Sequence, residues 1–210
     1  MLSEESLELI VQDHLAELEW QAGHGPDFAP GSGERDTWND IVLRGRLRNA
    51  VRNLNPDVPE EYLDQAIGEV ITPKSQSAIA ENRRIHQILV EGYRGIEYID
   101  HEGNFQNPTI NFLSSHPHKN DYLSLNQVTV ANLDGERRFD VVCYVNGMPL
   151  AFIELKKTGA NTSVEGAHNQ LQTYVKEFGM AFRFANIVIP SDDLSAKYGT
   201  PFTPWNHFEI

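Results

Sequence analysis

Three charged side chains interrupt two otherwise apolar runs, Arg138–Val145 and Met148–Lys157: Asp140 in the first, Glu154 and Lys156 in the second. In an extended strand successive side chains alternate faces, so Glu154 and Lys156 share one face while Ile153 and Leu155 take the other. A carboxylate and an amine on an apolar strand are costly to desolvate unless they bind something. The pattern is D-x13-E-x-K. Two carboxylates converging on one point bind hard cations through oxygen, as Mg²⁺ requires, and the Leu155 carbonyl is a natural additional ligand. Magnesium there could lower the pKa of a bound water and stabilise charge on a phosphate under attack. Lys156 could orient or deprotonate that water, or stabilise transition-state charge. The competing reading of the same triplet is an edge-strand terminus whose charges simply reach water.

The two runs meet at Asn146-Gly147, a strong short hairpin signal. The loop count has a chemical consequence. An unbulged two-residue loop pairs Asp140 with Ile153 and leaves it on the wrong face for Glu154. A three-residue loop at Val145-Asn146-Gly147, or a bulge elsewhere, brings Asp140 to the Glu154 side. One of these is expected.

Several elements must position this hairpin. Residues 4–18 read as an amphipathic helix with Leu7, Ile10, Val11, Leu15 and Leu18 at helical spacing and Ser3 as N-cap. Residues 19–36, rich in Gly and Pro, read as a loop. A helix over about 37–54 buries Leu43, Leu47, Ala50, Val51 and Leu54. Its Arg44, Arg48 and Arg52 recur every fourth residue as a basic ridge, most simply a solvated face paired with nearby acids. Asn55-Pro56 ends it, and a helix through Ile71 follows, broken at Thr72-Pro73. Another helix, over about 75–91, carries Glu81 on the same face as Ala78, Ile85 and Ile88, as an edge residue or a site residue. The period then changes to two, with short strands expected at 94–100, 108–113 and 122–131. His116 and His118 fall in a turn; an H-x-H pair can ligate metal, but a polar turn is the simpler reading without a third ligand. After the hairpin, Thr162-Ser-Val-Glu165 forms a capping box for a helix to about Phe178, and 183–190 reads as a strand.

The length suits one well-cored domain, divided on paper into a helix and loop at 1–36 and a main unit at 37–210. No apolar run reaches transmembrane length, so a membrane is not expected as a partner. The single cysteine, Cys143, excludes an internal disulfide, and a cytoplasmic location is expected. The formal net charge of −13 opposes generic adhesion to nucleic acid.

Gln170 and Tyr174, four apart on the helix after the second strand, lie on one side of it. Asp140, Glu154-x-Lys156 and Gln170-x-x-x-Tyr174 together resemble the PD-(D/E)xK nuclease superfamily in its RecB-like branch. Further blocks (Ala80-Glu81-Asn82, Lys119–Tyr122, Asn126–Val130, Val145–Leu150, Leu54-Asn-Pro56 and Tyr198-Gly-Thr200) make residues 37–205 similar to the N-terminal nuclease domain of type I restriction enzyme R subunits. Phe139 departs from the proline usual before the aspartate, which bears on strand shape rather than chemistry.

The resemblance implies an α/β, restriction-endonuclease-like mixed sheet flanked by helices, with an N-terminal helical region. It implies Asp140 and Glu154 as Mg²⁺ ligands with the Leu155 carbonyl, Lys156 as catalytic lysine, Gln170 and Tyr174 as a supporting motif, and Glu81 as an accessory acid. It further implies cleavage of double-stranded DNA alongside methyltransferase and specificity subunits. A helicase-like motor domain in the same full-length subunit would use ATP; this chain lacks the G-x-x-x-x-G-K-[ST] phosphate loop, so ATP is not expected to bind here. The absence of a clear element after Trp205 fits an N-terminal piece of a larger subunit. The alternatives are a stand-alone RecB-like exonuclease or repair nuclease, and a nuclease-like docking module.

Overall fold

The structure is a computed structural model that describes residues 3–133, 135–157, 163–192 and 194–210. The hairpin is its spine. Strand β4 (Tyr122–Asn132) runs antiparallel to β5 (Gly135–Val145), which turns into antiparallel β6 (Met148–Lys156). Two parallel edges complete the sheet: β1 (Gln21–His24) beside β4, and β7 (Ile187–Asp192) beside β6, in the order β1-β4-β5-β6-β7. Helix α5 (Val164–Glu177) packs on β6 and β7 from one face, while α1 (Glu4–Glu17) covers β4 and β6 from the other. Helices α2 (Arg44–Leu54), α3 (Glu60–Ile71) and α4 (Ala78–Glu91) form a layer beyond the turn of the hairpin, sharing a core with Met148 and Leu150. This mixed five-stranded sheet flanked by helices, preceded by a helix, is a restriction-endonuclease-like arrangement. No helix among the described residues is long and apolar enough to cross a membrane.

The turn settles the register question. Asn146 and Gly147 form a two-residue loop with φ of 53° and 77°, both in the left-handed region that a type I′ turn requires. Alone, that loop would misplace Asp140. The register instead slips by one on β6: Tyr144 pairs with Pro149 but Cys143 pairs with Ala151, leaving Leu150 as a bulge. Beyond it Val141 faces Ile153, and the phase carries Asp140 toward Glu154. Pro149 is tolerated because β7 pairs β6 only from Ala151 onward, so no ladder there needs its missing N–H.

Asn146 is fully buried, and its side chain accepts from the Asp121 amide and donates to the Phe112 carbonyl and Asn120 Oδ1. Gly147 lies against the start of α2. The Leu43 amide donates to its carbonyl at 2.9 Å, and a Cβ at Gly147 would stand 2.4 Å from the Leu43 carbonyl oxygen. Gly147→Ala combines a strained φ with a backbone clash, and is expected to destabilise the protein by about 3 kcal/mol, a drop of roughly 6–12 °C in Tm by calorimetry. An unchanged Tm would contradict this packing.

Several boundaries differ from the sequence reading. Residues 37–43 are not helical. Ile41, Val42 and Leu43 are consecutive and all fully buried, which one helix face cannot achieve. The loop is pinned by buried Arg35, which donates to the carbonyls of Asp40 and Trp38. Part of the expected loop at 19–36 is an edge strand, β1, whose Gln-Ala-Gly-His sequence has no strand-like alternation. The expected strands at 94–100 and 108–113 shrink to a bridge between Tyr93 and Ile110 and a two-stranded hairpin, β2 (Tyr98–Ile99) with β3 (Phe105–Gln106). Glycines at 92 and 95 and the Asn107-Pro108 step shorten them. Helix α4 starts at Ala78, and residues 179–184 are a 3-10 turn before β7. Helix α5 is capped by Ser163, whose hydroxyl accepts from the Gly166 amide; Thr162 lies outside the described residues.

Candidate active site

At Asp140 the sheet opens on both sides. Gln127, its register partner on β4, has φ of 54° and is skipped by the ladder, and the β5–β6 pairing stops at Val141–Ile153. Into this opening the Asp140 carboxylate accepts a hydrogen bond from the Leu155 amide at 2.8 Å. The N–H and C=O of one residue in a strand point to the same side, so the Leu155 carbonyl faces the same gap.

Glu154 is 1% exposed. Its Oε1 lies 3.4 Å from Lys156 Nζ, and its Oε2 is buried without a hydrogen-bond partner. Burial, with the Asp140 charge second, pushes the Glu154 carboxyl up to about 9, against the opposing pull of Lys156. Burial also raises Asp140, with the Leu155 amide and Lys156 opposing it. A half-satisfied carboxyl beside a second carboxylate is expensive to maintain, and a divalent cation would relieve both problems at once.

The residues fit such an ion. The donors are hard oxygens, Asp140, Glu154 and the Leu155 carbonyl, and the orphaned Glu154 oxygen supplies an unused ligand. Among the described residues no three His, Cys, Asp or Glu side chains form a closed metal cage. Two carboxylates with a carbonyl leave positions for water, the usual habit of Mg²⁺.

Helix α5 brings Gln170 and Tyr174 to the same place. Gln170 donates to the Tyr174 hydroxyl, and the Tyr174 ring packs edge-on against Phe139 at 5.4 Å. Burial, then the Glu154 charge, raises the Tyr174 hydroxyl to about 12, so it keeps its proton.

Glu81 does not join this group. Arg84 holds one of its oxygens at 2.7 Å and the Lys74 amide the other at 3.1 Å, in the α3–α4 junction. Burial pushes Glu81 up, but Arg84 and the amides of Lys74 and Ser75 outweigh it and leave its pKa low. Its oxygens are satisfied where those of Glu154 are not.

Helix α1 brings a residue that sequence reasoning missed. Glu8 is 3% exposed, and its Oε2 accepts from Asn126 at 3.3 Å. Its carboxyl is raised by burial and next by Asp140. Glu4, one turn earlier, approaches Lys156 at 3.8 Å. Ile10 and Leu18 of the expected apolar stripe are instead exposed, and Glu8 and Gln12 are buried. The helix is rotated toward its polar residues because the sheet beneath offers polar partners: Gln12 donates to the carbonyls of Gly23 and Ser124.

The arginine ridge is neutralised. Arg44 pairs with Asp40, Arg48 with Asp64 and Arg52 with Glu60. Exposed Arg138 stands near the site, its charge opposing the rise of both Asp140 and Glu8. His116 and His118 lie 5.9 Å apart at an exposed 3-10 turn, and Cys143 is buried with its thiol raised to about 12, too high for reactivity.

The family model described as "Type I restriction enzyme R protein N terminus" matches residues 1–207. The type I restriction enzyme HindI endonuclease subunit of Haemophilus influenzae is 28% identical over 216 residues, covering 98% of this chain and 20% of that protein. The type I restriction enzyme SauCOLORF180P endonuclease subunit of Staphylococcus aureus is 33% identical over 81 residues, 38% of this chain and 8% of its own. A protein of Methanocaldococcus jannaschii is 27% identical over 200 residues, 93% of this chain and 19% of its length. The chain thus spans about a fifth of the two relatives that match nearly all of it.

Proposed function

The chain belongs to the family of type I restriction enzyme R protein N termini, and from that premise we propose that it is the Mg²⁺-dependent endonuclease unit that cleaves phosphodiester bonds of duplex DNA within such an enzyme. The observation that carries this reading is the buried Glu154 next to half-buried Asp140, with one Glu154 oxygen unpartnered and Lys156 beside it. A docking module has no use for a buried carboxyl held that far above its ordinary range.

In this reading Asp140, Glu154 and the Leu155 carbonyl hold the ion, which when bound would polarise a phosphate oxygen and make a coordinated water more acidic. Lys156 faces the reacting phosphate, orients the attacking water and offsets charge as the phosphorus becomes five-coordinate. Gln170 and the protonated Tyr174 fix the α5 side of the Glu154 pocket. Glu8 closes the opposite side and disfavours negative charge on Asp140 until a cation arrives. Arg138 offers the approaching backbone a cation at the rim.

The acid-rich surface, with its paired arginines, supports a division of labour. The DNA would be gripped by a helicase-like, ATP-using motor domain of a longer subunit and by methyltransferase and specificity subunits, all in the cytoplasm. This chain would supply the cutting centre. The direct test is metal dependence in the assembled full-length enzyme: plasmid cleavage in Mg²⁺ and none in EDTA. Cleavage at equal rate in EDTA would sink the proposal.

A further inference from the structure

The β2–β3 hairpin lies outside the site and leaves one of its faces uncovered. Tyr98 and Gln106 form its inward pair, and the Tyr98 ring stacks on Tyr62 of α3 at 4.0 Å and 11°. The outward pair is Ile99 and Phe105, which are 60% and 63% exposed although directly paired across the strands. An adjacent aliphatic and aromatic side chain turned to water is a patch rather than a scattered residue.

Beside it runs a groove of about 390 Å³, lined by Asp57, Glu61, Tyr62, Tyr98, Ile99 and Asp100 among others. Its acids are not spent on ion pairs in the way their neighbours are. Glu60 pairs with Arg52 and Asp64 with Arg48, whereas no salt bridge within 4 Å joins Asp57 or Glu61 to a cation among the described residues. Asp100 is held ionised by the Asn104 amide and the Gln106 side chain, which lower its carboxyl. The tyrosine rings that line the groove beside these carboxylates offer a planar cation a ring face to lie on while it bonds the acids at its edge.

We propose that this face docks a cationic, apolar-flanked segment of a partner protein, with an arginine entering the groove between Asp57, Glu61 and Asp100 while apolar neighbours cover Ile99 and Phe105. Charge complementarity chooses this occupant. Nucleic acid would meet carboxylates, and a second copy of the chain would set the same acids against one another. Arginine and aromatic anchors inside a polar rim are the usual currency of small protein docking sites.

The test uses the intact protein and a labelled peptide, acetyl-Gly-Leu-Arg-Leu-Arg-Leu-Gly-amide, followed by fluorescence anisotropy beside its Arg→Glu counterpart. Phe105→Ser and the double variant Asp57→Asn/Glu61→Gln are surface changes, checked for intact folding by thermal melts. The arginine peptide is expected to bind, each variant to weaken it roughly tenfold or more, and the glutamate peptide not to bind. Three outcomes overturn the proposal: no binding of the arginine peptide, equal binding of both peptides, or light scattering that shows a dimer dispersed by Phe105→Ser.

Discussion

Asp140→Asn, Glu154→Gln and Lys156→Met should each lower DNA cleavage by the assembled enzyme on the order of 10²–10³-fold or more, the scale of losing one electrostatic stabiliser of the transition state. Each substitution keeps the shape of the side chain, so the loss reports charge rather than collapse. Asn at 140 can still accept from the Leu155 amide, which keeps the opened ladder in place. Gln at 154 fits a pocket already holding a protonated acid and removes only the metal-binding oxyanion. Methionine at 156 preserves the stem of a side chain only 17% exposed while deleting its charge. Cleavage is read on plasmid DNA, with ATP hydrolysis by the same enzyme as the control for intact assembly. Retained cleavage in all three variants would remove this centre from the reaction.

The second large effect is one of pH. With its carboxyl raised to about 9, Glu154 is protonated near neutrality, and binding of a divalent ion must expel that proton. Magnesium affinity should therefore climb about tenfold per pH unit up to roughly pH 9, or about a hundredfold between pH 6 and 8. Titration calorimetry at pH 7 in buffers of different ionisation enthalpy should find about one proton released per ion bound.

The same shift fixes the sign for stability. An unfolded glutamate ionises near 4.5 while the folded one holds its proton to about 9, so the folded state binds the extra proton across that window. Stability without metal should fall as pH rises from 4.5 toward 9, and added Mg²⁺ should restore it. Glu154→Gln should flatten that slope and melt higher than the parent at pH 8. Metal affinity independent of pH, or a Glu154→Gln variant that melts lower at pH 8, would speak against a protonated, metal-poised Glu154.

The charges of this centre were legible in the sequence; their supports were legible only in part. Spacing of Asp140, Glu154 and Lys156, with Gln170 and Tyr174 at one helical turn, needed no tertiary information. The requirement for a bulge or longer loop followed from strand parity, although its position at Leu150 did not, because bulge placement depends on where β7 and the α2 layer pack. Glu8 was hidden for a physical reason. Hydrophobic spacing selects the face of a helix that an oily surface would bury, and α1 lies partly on a polar one. A signal for the β4 irregularity was present: Leu123 and Leu125 alternate in one phase and Val128 and Val130 in the other, all four in one core. That change of phase at Gln127 marks the strand position beside Asp140. Glu81 stayed open between two readings because a buried acid on an apolar face reads the same whether it awaits a cation or already has Arg84.

The bulge at Leu150 has a consequence for how this hairpin can change over generations. Insertions and deletions between the turn and Glu154 act on the parity of β6 rather than on its length. Losing one residue there would swing the glutamate to the α1 side and present an isoleucine or leucine to Asp140, while losing two would keep the face and shift only the height. Lineages descended from a common hairpin should therefore differ in this segment by even steps, or by odd steps accompanied by the gain or loss of a bulge.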